Sequence, residues 1–274
     1  MRHFSARDIS DLELHGVTRP VAIFDPVELQ HIAEELERLE AAFPETGPAE
    51  RHSGLDLRTY WSELGQTRIW FKSLHAYSQL LTRVASHPVI AECIYNTFGS
   101  EAWLWGVQNI CQKPQVRHRW HVDVEAYHWR SVNIWLGVVN TSCKSGLKVI
   151  PGTHRTRIKP QDRDRFPGLD LESDSEVARV AAQHGASGQV QRLEVRPGEV
   201  VAFDGRLWHS SANDTDQERR AVLMQYSPDK AAIRIPTSFS DPVTWHDLKP
   251  PVYRVGSGRA VNAAVPIPTV SSGE

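Results

Sequence analysis

Apolar and polar positions along this chain follow two different periods. From Pro26 to Ala42, apolar residues recur at Leu29, Ile32, Ala33, Leu36 and Leu39. That three-to-four spacing is the stripe of an amphipathic helix, with the acidic residues between facing water. Asp25 is placed to cap the helix, Pro26 takes the first position, where its missing N–H costs nothing, and Glu28 completes a capping box. Helical periods are also predicted from about Leu74 to Ser86 and from Pro88 to near Gly99. After residue 100 the pattern changes to short runs rich in Trp, Val and Ile, bounded by Gly, Pro, Asn and Asp. Strands are predicted at 102–112, 119–124, 131–140, 146–150, 190–195, 199–204 and 219–227. Repeated short strands with turn signals imply a mainly β sandwich or barrel with flanking helices.

The chain reads as one domain over residues 1–274. It has a helical lead-in to about residue 100, a β core at about 101–227 and a Pro-, Ser- and Gly-rich extension at about 228–274. The polar stretches 44–54 and 160–188 read as loops of the kind that form lids, the second with a short helix near Ser175 to Gln183.

Composition narrows the function. Thirty-one Lys and Arg against 33 Asp and Glu give a net charge of -2, so no basic excess exists to grip a nucleic acid or an anionic membrane. The longest apolar run, around Ile134 to Val139, is too short to span a bilayer. The first residues, MRHFSARDISD, lack the apolar core of a signal peptide. Three cysteines without a CxxC pair fit a reducing, cytoplasmic setting. A small molecule is the expected partner, with the chain acting as a monomer or homodimer.

Candidate chemistry lies in Arg119-Trp120-His121-Val122-Asp123. In an extended strand, residues i and i+2 project from one face, so the His121 imidazole and the Asp123 carboxylate converge as two ligands of one metal would. One further histidine would complete a two-His-one-carboxylate facial triad, the arrangement of non-haem Fe(II) oxygenases. His209 is the candidate, at the start of a strand after the turn at Asp204-Gly205. His118, three residues before His121, is expected to face away from it. Beyond His209, Arg219 and Arg220 open the apolar strand Ala221 to Tyr226. A buried guanidinium needs an anionic partner, and its planar fork suits a carboxylate. Neighbouring strand residues face opposite ways, so only one of the two arginines can point inward.

The ordered set of motifs resembles the phytanoyl-CoA dioxygenase-like branch of the Fe(II)/2-oxoglutarate-dependent oxygenases, which includes ectoine hydroxylases. Trp120-His121-Val122-Asp123 is similar to the family's W-H-x-D segment, and Val132 to Val139 to the strand that follows it. Gly146 to Arg155 (GLKVIPGTHR) is similar to its G-x-L-x-x-x-P-G-S-H-[RK] stretch. His209 and Arg220 stand at the family's eleven-residue interval. The resemblance covers about residues 100 to 227 and implies a double-stranded β-helix, a cupin-like jelly roll. It implies iron ligands His121, Asp123 and His209, and cofactors Fe(II), 2-oxoglutarate as co-substrate and dioxygen. It implies that Arg220 takes the distal carboxylate of 2-oxoglutarate, with Ser211 beside it. Gln108 and Lys113 stand where related enzymes place polar co-substrate contacts, with Asn109 and Gln112 competing. Trp120 is expected beside the metal.

The implied activity is hydroxylation of a C–H bond of a small polar metabolite or natural-product intermediate, with 2-oxoglutarate converted to succinate. The carboxylate at Asp123 argues against halogenation, because related halogenases carry a small residue there. Desaturation and ring closure stay open. Tyr127, His128, Trp129, Arg117, His118 and Arg119 are candidate pocket residues, with Trp61, Arg68, Trp70 and Lys72 from the helical part. The competing readings are a zinc-dependent hydrolase or isomerase and a metal-free binding protein on the same scaffold. Neither accounts for an inward arginine after His209.

Overall fold

The structure, a computed structural model, describes residues 3–42, 61–64, 67–71, 73–234, 243, 245 and 252–256. In chain order the elements are α1 (Ala6–His15), β1 (Val21–Ala22), α2 (Pro26–Ala42), β2 (Trp61–Leu64), β3 (Thr67–Phe71), α3 (Gln79–Ala85) and α4 (Pro88–Phe98). The β core follows with β4 (Ala102–Gln112), β5 (Arg117–His121), β6 (Val132–Val139) and β7 (Leu147–Val149), then α5 (Asp174–Gln183). The remaining strands are β8 (Gln191–Arg192), β9 (Glu199–Asp204), β10 (His209–Ala212), β11 (Arg219–Ser227) and β12 (Tyr253–Val255). No described helix is long and apolar enough to cross a membrane.

Two antiparallel sheets face each other. The larger runs β1-β9-β6-β11-β4-β3-β2, with β12 also paired to β4. The smaller runs β5-β10-β7-β8. This is the jelly roll with flanking helices that the motif order implied.

Three apolar layers hold it together. Ala221 and Leu223 of β11 point between the sheets with Ile110, Trp135, Val201 and Phe203, while Val222, Met224 and Tyr226 point the other way into the helices. Both faces of the larger sheet are therefore buried, which explains its near-continuous apolar strands. The third layer lies outside the smaller sheet. There, Trp120, Ile150 and Trp208 pack under Val177, Val180 and Ala181 of α5.

That third layer revises the view of residues 160–188 as a lid. Phe166, Leu169 and Leu171 pack into it, and Gln161 clamps Val122 through both of its backbone groups (3.2 and 2.8 Å). The segment is a fixed outer wall, anchored where Lys148 and the Trp120 indole N–H donate to Asp174. The Asp174 carboxyl stays below its usual range: burial raises it, but the donors Lys148 and Trp120 lower it more. Its contribution to stability is thus present above the ordinary carboxylate range and is lost as pH falls through the depressed value. Asp174→Ala is expected to cost about 2 kcal/mol, because it strands the buried Lys148 ammonium while Asp174 itself is part-exposed. Urea titration of the variant checks this, and the loss should vanish in the double variant Asp174→Ala/Lys148→Met. Residues 44–54, the other expected lid, lie outside the described residues.

α1 was not foreseen, although its signal is visible in the chain. Ser5 and Asp8 form a reciprocal capping box at its start, and Gly16 closes its end in the left-handed region (φ 83°). A Cβ at Gly16 would stand 2.5 Å from His154 Nδ1 and 2.9 Å from Leu207. Gly16→Ala is therefore expected to lower stability by about 2 kcal/mol or more, from backbone strain plus overpacking. A thermal melt measures it.

Candidate metal centre

β5 and β10 run side by side, with His121 opposite His209. Their ring centroids are 4.1 Å apart. Asp123 follows two residues after His121, and its Oδ1 lies 3.8 Å from His209 Nε2. Ligand atoms of His121, Asp123 and His209 all fall within 4.8 Å of one another. The three residues expected to meet do meet.

Each ligand is aimed by a neighbour. His121 Nδ1 donates to the Arg119 carbonyl (2.9 Å) and His209 Nδ1 to the Leu207 carbonyl (2.8 Å). A proton on Nδ1 leaves the Nε2 lone pair of each ring for a metal. The Asn133 amide of β6 donates to Asp123 Oδ2, turning Oδ1 toward the histidines. Phe203 packs against the His209 ring at 5.0 Å. Burial holds His209 down to about 4. Burial also lowers His121 well below the usual histidine value, helped by His118 and His209. Both rings are neutral donors near pH 7, as coordination requires. The set of two imidazoles and one carboxylate without thiolate suits ferrous iron.

His118 departs from expectation. It pairs with Ser211 across the ladder, and the register slips between there and His209. That bulge sets two residues of β5, Arg119 and Trp120, against one of β10, Ser210, so His118 and His121 share the inner face with ring centroids 4.0 Å apart.

The structure turns the two arginines the opposite way from what the resemblance implied. Arg220 points out of the barrel toward α2, and Glu40 of that helix (3.3 Å) and Glu218, just before β11 (2.9 Å), take its guanidinium. Arg219 points inward. It is fully buried, donates to Gln112 Oε1 and to Ser211 Oγ (3.4 Å), and lies over the Trp135 ring at 5.4 Å. No carboxylate among the described residues pairs with it, and its Nε and Nη1 have no partner. Burial lowers it only to about 10, so it stays charged. Stranding a buried guanidinium costs several kcal/mol unless an anion completes it. The N–H groups left over on the inner face, next to Ser211 and two residues along β10 from His209, are donors of the kind a carboxylate accepts.

The other expected contacts sort by strand face. Ser211 is inside, beside Arg219. Gln112 is the β4 amide that reaches this group. Gln108 lies inside but donates to Gln225, which donates to the buried Glu125. Asn109 faces α2 and donates to Glu40. Lys113 is exposed in the turn beyond β4. Trp120 is fully buried, but on the outer face of β5 under α5, because it neighbours an inward His121. It supports the strand and does not line the metal centre.

Among the proposed pocket residues, Arg117 is tied to Asp214 (3.1 Å) and Arg119 is exposed. Trp129 packs with Trp105, and both it and His128 contact Trp245. The Tyr127 hydroxyl is buried without a hydrogen-bond partner among the described residues. Trp61, Arg68 and Trp70 stand on the edge hairpin β2–β3, and Lys72 lies outside the described residues.

Comparison with known proteins gives the same frame. Among curated proteins, none matches the sequence. The epimerase SnoN, solved with Fe3+, alpha ketoglutarate and nogalamycin RO, superposes with a TM-score of 0.61 at 17% identity, covering 89% of this chain and 94% of that one. EctD from S. alaskensis, solved with 2-oxoglutarate and 5-hydroxyectoine, gives 0.62 at 20% identity over 85% and 78%. The carbocyclase SnoK from nogalamycin biosynthesis gives 0.55 at 16% over 81% and 83%. At these identities the likeness establishes the fold. The family description "Phytanoyl-CoA dioxygenase (PhyH)" matches residues 12–221, so the chain belongs to the phytanoyl-CoA dioxygenase family and is an enzyme of the Fe(II)/2-oxoglutarate-dependent class.

Proposed function

We propose that this protein is an Fe(II)/2-oxoglutarate-dependent hydroxylase of a small polar metabolite or natural-product intermediate. His121, Asp123 and His209 would hold the iron. Bound there, iron and 2-oxoglutarate would supply oxidation of a substrate C–H bond, with succinate and carbon dioxide as co-products.

The observation that carries this reading is Arg219, fully buried and without a carboxylate partner among the described residues, on the inner face of the larger sheet, where it reaches across to Ser211 of the strand that carries His209. A hydrolytic zinc centre has no use for it. Arg219 neutralises the distal carboxylate of the co-substrate, Ser211 and Gln112 fix the plane of the guanidinium, and the apolar wall of Trp135, Leu223 and Ile110 keeps water from the space between. Asn133 keeps Asp123 turned to the metal. The outcome need not be a hydroxyl group: two similar structures are of an epimerase and a carbocyclase, which supports stereochemical inversion or ring closure as the second reading.

The deciding experiment is anaerobic addition of ferrous iron and 2-oxoglutarate, followed in the visible for the charge-transfer band of a chelated 2-oxo acid. The band is expected in the native protein, followed by succinate on admitting oxygen. Its absence at saturating iron and 2-oxoglutarate would overturn the proposal.

A further inference from the structure

A cleft lies at the turn after β9, where Asp204 and Arg206 line it. It is bounded by α1, the end of α4 and the segment after His154, with a volume of about 400 Å³. Small-molecule sites span roughly 300–1,000 Å³. Four guanidinium groups line it, from Arg130, Arg155, Arg157 and Arg206, against the two carboxylates of Glu13 and Asp204.

The charges do not cancel. Asp204 is occupied by Arg206, which chelates it through Nε and Nη2 (3.0 and 2.7 Å). Arg130 donates to the Thr97 carbonyl (3.0 Å) and covers the Phe98 ring. Arg155 and Arg157 are exposed and have no side-chain partner among the described residues. Arg157 also holds a left-handed backbone (φ 54°), uncommon for a residue with a side chain and concentrated at ligand-binding segments. A chain of net charge -2 has thus gathered mutually repelling cations at one concavity. An oxyanion with several charges relieves that repulsion and accepts forked N–H pairs.

We propose that this cleft binds the phosphate group of a phosphorylated small molecule. Arg155 and Arg157 are its principal ligands, and Ile9, Leu12 and Val132 form an apolar wall for the organic part. The proposal stands apart from the iron chemistry and survives or fails without it.

Calorimetric titration of inorganic phosphate and pyrophosphate into the full chain at low ionic strength tests it. Saturable binding is expected, weakened about tenfold or more in Arg155→Ala/Arg157→Ala, since each charge-assisted hydrogen bond contributes at that scale. Both residues are exposed, so the variant keeps its fold. Glu13→Gln is expected to tighten binding by removing a like charge from the rim. Absence of saturable binding overturns the proposal. So does a double variant that binds as the native chain does, which would put the anion elsewhere, for instance at Arg219.

Discussion

Arg219→Ala is expected to raise the 2-oxoglutarate concentration for half-maximal turnover by about 100-fold or more, whereas Arg220→Ala leaves it within about threefold. The contrast follows from which way each side chain leaves β11. Arg219 is fully buried, and two of its nitrogen atoms have no hydrogen-bond partner among the described residues. Removing it leaves the distal carboxylate to be desolvated without a cation, a loss of about 3 kcal/mol. Arg219→Lys keeps the charge but not the planar fork, so an intermediate loss of about tenfold is expected. Arg220 contributes to the packing of α2 instead. Its partner Glu40 also receives Asn109 and Cys111, so Arg220→Ala should show in a melt and not in co-substrate affinity. Anaerobic titration of the charge-transfer band separates the two. A larger loss for Arg220→Ala would mean that the register of β11 is displaced by one residue.

That pair of arginines also marks how far the sequence could be read. The triad was legible because its information is local: i and i+2 in a strand for His121 and Asp123, and one histidine after a Gly turn for His209. The jelly roll was legible through several ordered motifs together. Which arginine faces inward was not. Alternation reveals a strand's inner face only when the other face meets water, and both faces of β11 are buried. The family's eleven-residue interval then favoured Arg220. The same limit misplaced His118. A bulge is one extra residue, and nothing in Arg117-His118-Arg119-Trp120-His121 announces it before the pairing with β10 is known. Trp120 was a matter of proximity in sequence mistaken for proximity in space. Next to a ligand in a strand means the opposite face, and here that face is covered by α5. The segment 160–188 looked like a lid because its apolar residues are scattered among charges. Only Trp120 and Trp208, which point outward from the smaller sheet and are buried by this segment, make sense of Phe166, Leu169 and Val177 as a cover.

His209→Ala is expected to abolish ferrous binding and activity together, while Asn133→Leu weakens iron binding by about 10- to 100-fold and Trp120→Phe leaves it unchanged. The gradient tests the centre as a built object and not merely as three residues in proximity. His209 is the ligand that ties the two halves of the site, since it faces His121 across the ladder and Asp123 across the cavity. Without it two donors remain on one strand end, too few for a facial triad. Asn133 touches no metal, but its amide fixes the Asp123 carboxylate; leucine has similar volume and no donor, so Asp123 is freed to rotate. Trp120 loses only its indole donation to Asp174, a matter of stability. Anaerobic equilibrium dialysis against ferrous iron, with cobalt(II) as a spectroscopic substitute, reads all three. Because burial holds His209 down to about 4, proton competition does not enter near neutrality, and the ranking should be the same at pH 6.5 and pH 8. Native iron affinity in His209→Ala would remove the metal centre, and with it the basis for placing a co-substrate between β10 and Arg219.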